Sequence, residues 1–423
     1  MSSMKASDHA HIVIVGGSLT GVRAAVALRD LGFTGSVTIV DRSEHAPYDR
    51  PPLSKGLLTG AMTEADIRLP DLDAIDVTWQ GGRLACGLST PTRSLYLDDG
   101  GCLNFDGLIL ATGVRPKTFG APGPHPAPLV LRSLAHARTL RSALTEQTGR
   151  LLVIGAGFIG TEVAAAARSL GWEVTIAAPT PVPLYGALGS DLGRYVASLH
   201  RDHGVDLRLG VQVTDLHREP DGSSRATFDD ESSLNADVVV TGLGSRPNTE
   251  WLEGSQLLLD DGVRTDQFLR ALDVAGEPIR AVTAAGDLAR APHPLFGPEP
   301  IRIEHWSNAI QHGRTAARTL LADLTSGIEA TTPTGVPSFW SDQYDTKILS
   351  VGLPHLADTA HVIEGDPETG AFVVGYGRDG LLVGAAGIGS ARSLGRYRRA
   401  ISRGEAFPPS RQEDSASAAP TTT

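Results

Sequence analysis

Two glycine-rich segments have the spacing of a turn that holds a diphosphate: "GGSLTG" at residues 16–21 and "GAGFIG" at residues 155–160. Small residues there let backbone amides close on phosphate oxygens, and the helix that follows aims its partial positive charge at them. In the first segment Gly16, Ser18 and Gly21 are the candidate contacts, with Ser18 standing where the middle glycine is usual. Asp41, at the end of the next apolar run, is placed to bond ribose hydroxyls. In the second segment the candidates are Gly155, Gly157, Phe158, Ile159 and Gly160, joined by Gly242 from a later glycine loop. The strand after it ends on Ala177, Ala178 and Pro179, where an acid is expected. One such motif often marks nothing more than a tight turn. Two, each between a strand and a helix, point to two nucleotide-binding units.

Two further stretches suggest which nucleotides. "LILATGVRP" (108–116) is an apolar strand leading into a turn without bulky groups, with Thr112 and Gly113 at its tip. "AAGDLA" (284–289) sets Asp287 after another strand, where a carboxylate can bond the sugar-alcohol hydroxyls that a flavin has and a nicotinamide cofactor lacks. Ala-Thr-Gly and Gly-Asp are also ordinary turn chemistry, so the signal lies in their order around the two fingerprints.

The elements that must position these residues are readable. Ile12–Val15 is a buried strand, Ala24, Ala25 and Ala27 let the next helix pack closely, and Val37–Val40 is a second parallel strand. Leu151–Ile154, Phe158–Leu170 and Val174–Ala177 repeat the pattern as strand, helix and strand. "APGPHPAP" (121–128) reads as a domain crossing, "REPDGSSRATFDDESS" (218–233) as a polar hairpin, and "NADVVVTGLGSRPN" (235–248) as a strand running into a glycine loop. Residues 302–325 carry a long helix. From about Thr332 the chain turns β-rich, with "FVVGYGRDGLLVGAAGI" (372–388) as two strands around an Arg-Asp-Gly turn. The tail from Pro408 has the composition of a disordered segment.

Bulk properties narrow the function. The 423 residues suffice for two or three domains, and a net charge of −11 argues against nucleic acid as the main partner. No apolar run is long enough to span a membrane and the N-terminus has no apolar signal region, so a cytoplasmic enzyme is expected. The two cysteines, Cys86 and Cys102, are expected to be small buried hydrophobes. No metal site is expected: His200 and His203, three apart, sit in an ordinary helix pattern.

These residues together resemble the FAD-dependent ferredoxin reductases of bacterial oxygenase systems, the putidaredoxin reductase-like family. The matching stretches are "PYDRPPLSK" (47–55), "ATGVRP" (111–116), "VIGAGFIGTEVAAAAR" (153–168), "GSRPNTEWL" (244–252), "AAGD" (284–287), "EHWSNAIQHGRTAA" (304–317) and "FWSDQYDTKI" (339–348). The resemblance implies an α/β chain of two Rossmann-like dinucleotide-binding domains, for FAD and NAD, plus a C-terminal α/β domain. It implies an FAD domain at 1–115 and 245–325, an NAD(P) domain at 116–244, a C-terminal domain at 326–407 and a tail at 408–423. It also implies flavin contacts from Arg50, Lys55, Thr112, Asp287 and Trp340, with Glu162, Glu304 and Trp306 on the nicotinamide side. The partner would be an iron–sulfur ferredoxin that feeds a haem or Rieske oxygenase.

Lys55 is then a candidate to stabilise charge on reduced flavin and to pair with Glu162, although the bland account is a solvated lysine. Trp306 and Trp340 would otherwise read as core residues. Disulfide reductases and peroxidases of the same superfamily are disfavoured, because "HAPYDRPPLSKGLL" (45–58) and Asp41–Ser43 contain no cysteine nucleophile. Arg392, Arg396, Arg398, Arg399 and Arg403 near the C-terminus suit either an acidic ferredoxin or a solvated helix face.

The acid missing where this strand ends on Ala177, Ala178 and Pro179 leaves three readings. The enzyme uses NADH weakly, or it accepts NADH and NADPH with little discrimination. In the third, the second unit has lost its nicotinamide and the flavin acts directly on a small molecule as an oxidase or dehydrogenase.

Overall fold

The computed structural model describes residues 9–70, 72–120, 128–389 and 391–407. Three sheet systems organise the chain. The first is a six-stranded sheet in the order Arg270–Leu272, Pro278–Ala284, Gly107–Leu110, His11–Val15, Ser36–Asp41, Thr78–Gly81. Its neighbours run parallel except for the antiparallel pair at the Arg270–Leu272 edge. Alternation along these strands gives each face its own core. Ile12, Ile14 and Ile39 pack under the Leu19–Asp30 and Trp306–Leu324 helices. Val13, Val15 and Leu108 pack on the other side with Leu95 and Leu97 of a three-stranded meander, Ala85–Ser89, Ser94–Leu97 and Cys102–Asn104.

That meander corrects one expectation. Cys86 and Cys102 are both exposed, not buried. Ala85, Leu88, Leu95 and Leu97 take the inward positions. Cys86 is left to the solvent side, as is Tyr96 at 44% exposure.

The second system is a four-stranded parallel sheet in the order Asp206–Leu209, Glu173–Ala178, Arg150–Ile154, Val238–Thr241. The Phe158–Ser169 helix lies against it. The polar hairpin expected at 218–233 is a meander of three strands, Val213–Arg218, Ser224–Phe228 and Ser233–Ala236. Between the two systems the chain crosses at Val114–Pro116 and Ser245–Pro247, which pair antiparallel. Of the "APGPHPAP" segment, residues 121–127 lie outside the described residues.

The third system is a five-stranded antiparallel sheet in the order Ser338–Gln343, Thr346–Gly352, Leu381–Ile388, Ala371–Arg378, Thr359–Asp366. The expected Arg-Asp-Gly turn joins two of its strands, with Asp379 at φ 52° and Gly380 at φ 74°. Positive φ at both central positions matches the twist of the flanking strands. The Ala391–Ser402 helix packs on this sheet through Leu394, Tyr397 and Ile401 and exposes its arginines. The expected disordered tail, 408–423, lies outside the described residues. Among the described residues no helix is long and apolar enough to cross a membrane.

Candidate active site

The two glycine turns are built alike. Gly16 N donates to Val40 O and Gly155 N donates to Ala177 O, each at 2.8 Å. Gly16 has φ +108° and Gly155 φ +107°, a region that L side chains rarely adopt. A Cβ on Gly21 would strike Gly16 O, and one on Gly160 would strike Gly155 O. Both glycines therefore set how closely a helix approaches its strand. Ser18 caps the Leu19–Asp30 helix without a side-chain bond to its amides. Asp41 Oδ2 accepts from Gly17 N at 2.6 Å and Oδ1 from Ser43 N at 2.7 Å.

A cleft of about 270 Å³ opens where the three sheet systems meet. Of the residues expected from the sequence, it collects Ser18, Arg50, Lys55, Thr112, Gly113 and Asp287 from the first system. Phe158, Ile159 and Glu162 reach it from the second system, Glu304 and Trp306 from the start of the long helix, and Trp340 from the third. Gly16 and Gly21 of the first turn, and Asp41 at the end of the neighbouring strand, do not line it. Gly155, Gly157, Gly160 and Gly242 shape the second turn and do not line the cleft.

At the centre of the cleft is a buried ion pair. Lys55 Nζ stands 2.8 Å from Glu162 Oε2, and the Glu162 side chain is 3% exposed. Ser54 Oγ donates to the same oxygen at 2.5 Å and Ser341 Oγ donates to Oε1 at 2.6 Å. A carboxylate buried this deeply is tolerable because each oxygen has donors and a cation is adjacent. Gln343 Nε2 then donates to Ser341 Oγ at 3.1 Å and to Thr161 Oγ1 at 2.9 Å.

Gln343 Oε1 faces His200 Nε2 at 3.0 Å, so that nitrogen carries the proton, and Tyr344 OH serves Nδ1 at 2.9 Å. Tyr344 stacks on His203 at 3.6 Å. His200 is therefore spent on the protein's own polar core.

Arginines dominate the other end. Arg132 Nη2 bonds Asp287 Oδ2 at 2.8 Å. Arg50 faces the cavity but is otherwise surrounded by protein. Its guanidinium is pushed down to about 10, first by burial and then by Arg132 nearby. Its Nε is buried with no hydrogen-bond partner. Trp306 Nε1 donates to Asp49 Oδ1 at 2.9 Å, and its ring meets Trp340 edge-on at 5.7 Å. Burial raises the Asp49 carboxyl above its ordinary value, against the lowering effect of that bond. Glu304 accepts from Ser245 Oγ at 2.6 Å and pairs with Arg302.

Sequence reasoning missed Arg132, Ser54, Ser341 and Gln343. Ser54 and the pair Ser341/Gln343 lie inside matched stretches, and their alternate positions on a strand next to Trp340 were the available signal. Arg132 has no motif around it. Only folding brings it to Asp287.

Residues 10–313 match the pyridine nucleotide-disulphide oxidoreductase family. The chain belongs to this family. Residues 338–419 match the reductase C-terminal family. The anthranilate 1,2-dioxygenase system ferredoxin–NAD(+) reductase component of Burkholderia cepacia is 36% identical over 93% of this chain and 94% of its own. Rhodocoxin reductase of Rhodococcus erythropolis is 35% identical over 86% and 82%. Among solved structures, the covalent putidaredoxin reductase–putidaredoxin complex superposes with a TM-score of 0.84 at 29% identity, covering 93% of each chain. Within the pyridine nucleotide-disulphide oxidoreductases the chain is thus a ferredoxin reductase of the kind found in bacterial oxygenase systems. It is an FAD-dependent oxidoreductase that draws on NAD(P)H.

Proposed function

We propose that this cytoplasmic enzyme takes electrons from NAD(P)H and delivers them to an iron–sulfur ferredoxin that feeds a haem or Rieske oxygenase. Bound FAD supplies the conversion between a two-electron donor and one-electron acceptors. The division of labour is 1–115 and 245–325 for FAD, 116–244 for the nicotinamide cofactor and 326–407 for the C-terminal unit.

The chain's own groups fit this role. Arg50, with an unpartnered buried Nε, suits an anionic ligand in the cleft. The turn at Gly16–Gly21 offers helix-terminal amides to a pyrophosphate, Asp41 holds a ribose, and Asp287 with Arg132 engages the sugar-alcohol chain. Lys55 fixes a positive charge beside the flavin ring, where a water-poor setting strengthens it. Glu162 keeps that lysine in place. Trp306 and Trp340 bound the ring pocket, and Phe158, Ile159 and Glu304 border the nicotinamide approach.

The observation that carries the reading is the Lys55–Glu162 pair, contributed by both nucleotide units to one cleft. Stopped-flow mixing of the yellow holoenzyme with NADH tests it. Bleaching of the flavin, followed by cytochrome c reduction once a ferredoxin is added, is the expected result. Flavin untouched by either nicotinamide cofactor at millimolar levels defeats it.

A further inference from the structure

The duplicated fold carries its own control for the adenosine end of the second unit. In the first unit Val15 is paired with Val40, and Gly16 N bonds Val40 O. In the second, Ile154 is paired with Ala177, and Gly155 N bonds Ala177 O. The next residue along each strand is therefore equivalent: Asp41 in one, Ala178 in the other. Asp41 uses its carboxylate to receive two backbone amides. Ala178 is 2% exposed and packs with Val174 and Ile176, so it offers no acceptor to the matching Ala156 amide or to a ribose.

The loop segments beside it carry no charged side chain of their own, and Asp229, which is bonded to one of them, has a carboxylate oxygen taken by Gln212 N at 3.0 Å. Residues 179–190, "PTPVPLYGALGS", contain neither acid nor base. The adjoining strand ends in "LGVQ" (209–212), and the third strand leads into "GLG" (242–244). These loops are tied to each other, with Gly210 N bonded to Thr180 O and Val211 N to Ala178 O. Arg208, beside Ala177 in the register, is turned to the other face. There it lies over Phe228 at 5.1 Å, with Asp206 at 3.3 Å.

We propose that the second unit does not read the adenosine 2′ position, and that NADH and NADPH bind with affinities within about tenfold of each other. The proposal rests on the reductase reading above. A carboxylate at this position would favour a 2′-hydroxyl and repel a 2′-phosphate, and an arginine would do the reverse. With neither present, both cofactors are held by the shared parts: the glycine turn, the helix terminus and the contacts of the nicotinamide end.

The test is anaerobic titration of flavin-loaded enzyme with NAD+ and NADP+, reading the perturbation of the flavin absorbance bands. Dissociation constants within about tenfold are expected, and a ratio beyond about tenfold in either direction overturns the proposal. Ala178→Asp should move the ratio toward NAD+ by roughly tenfold, and Thr180→Arg should move it toward NADP+ by a similar factor. Thr180 lies on the surface loop, so this second variant decides the matter if the buried aspartate does not fold. A ratio unmoved by whichever variants fold also overturns it. If neither nucleotide perturbs the bound flavin, the reductase reading fails with it. If only one binds, that reading stands and this proposal falls.

Discussion

His200 Nε2 and Gln343 Oε1 meet at 3.0 Å, and their contact joins a helix of the second sheet system to a strand of the third. It is the outer link of a chain of bonds that runs through Ser341 to Glu162 and Lys55. One oxygen of the site's central carboxylate is therefore held from the third sheet system, while Ser54 and Lys55 hold the other.

The pH dependence of stability follows from this buried imidazole. Burial holds His200 at about 4, below its ordinary 6.5. His293 is likewise at about 4 and His312 at about 3. A lowered folded-state value means the unfolded chain binds more protons between the two values. Stability present above pH 6.5 is then lost as pH falls toward 4. Each histidine contributes up to about 1.4 kcal/mol per pH unit in that window. Urea midpoints should fall from pH 7 to pH 5, and His200→Gln should shallow the slope by up to about one proton. An unchanged slope in the variant counts against this assignment.

Lys55→Met removes the cation and leaves Glu162 with only its two serine donors. A stability loss of roughly 3 kcal/mol is expected from the uncompensated buried charge. Flavin reduction by NADH should slow by roughly a hundredfold if the lysine stabilises charge on the ring. Denaturant melts and stopped-flow traces, normalised to flavin content, measure the two effects separately. Wild-type reduction rates in this variant rule out the electrostatic role.

The glycine turns should fail independently. A methyl group at Gly21 collides with Gly16 O, and one at Gly160 with Gly155 O. Each should cost about 1–3 kcal/mol in strain, because the obstacle is backbone. Gly21→Ala should purify with less flavin. Gly160→Ala should stay yellow and bind NAD(P)+ at least about tenfold more weakly. Loss of flavin from the second variant would break the assignment of one cofactor to each turn.

Both cysteines should react in the native protein. Cys86 and Cys102 are exposed, so a colorimetric thiol reagent should titrate two groups without denaturant. Cys86→Ser and Cys102→Ser should each remove one and leave flavin content unchanged. Protection of either thiol before unfolding contradicts the outward placement.

Periodicity and glycine spacing made both nucleotide units legible, with one strand ending on Asp41 and the strand expected at Val174–Ala177 running one residue further, to Ala178. The hairpin at Arg378–Gly380 was legible too, because Asp-Gly demands a turn with positive φ. The cysteines were misread: their small, apolar character says nothing about which face of an edge strand they occupy. Arg132 was invisible because its partner Asp287 is 155 residues away and no local pattern links them. Lys55 and Glu162 could be paired in advance because each sits in a recognisable stretch, whereas Gln343 gains its importance only once His200 is packed against it.

The antiparallel pairing of Val114–Pro116 with Ser245–Pro247 has an architectural corollary. Where the polypeptide departs from the first sheet system and where it comes back are side by side, held in register at Arg115 and Arg246. The main chain of everything between them enters and leaves through one double-threaded stem, and side chains such as Arg132 and Glu162 fasten the block to Asp287 and Lys55. Such a stem lets the intervening block be exchanged for a relative's as a cassette, with both splice points already aligned and the flavin-side scaffold closed beneath them.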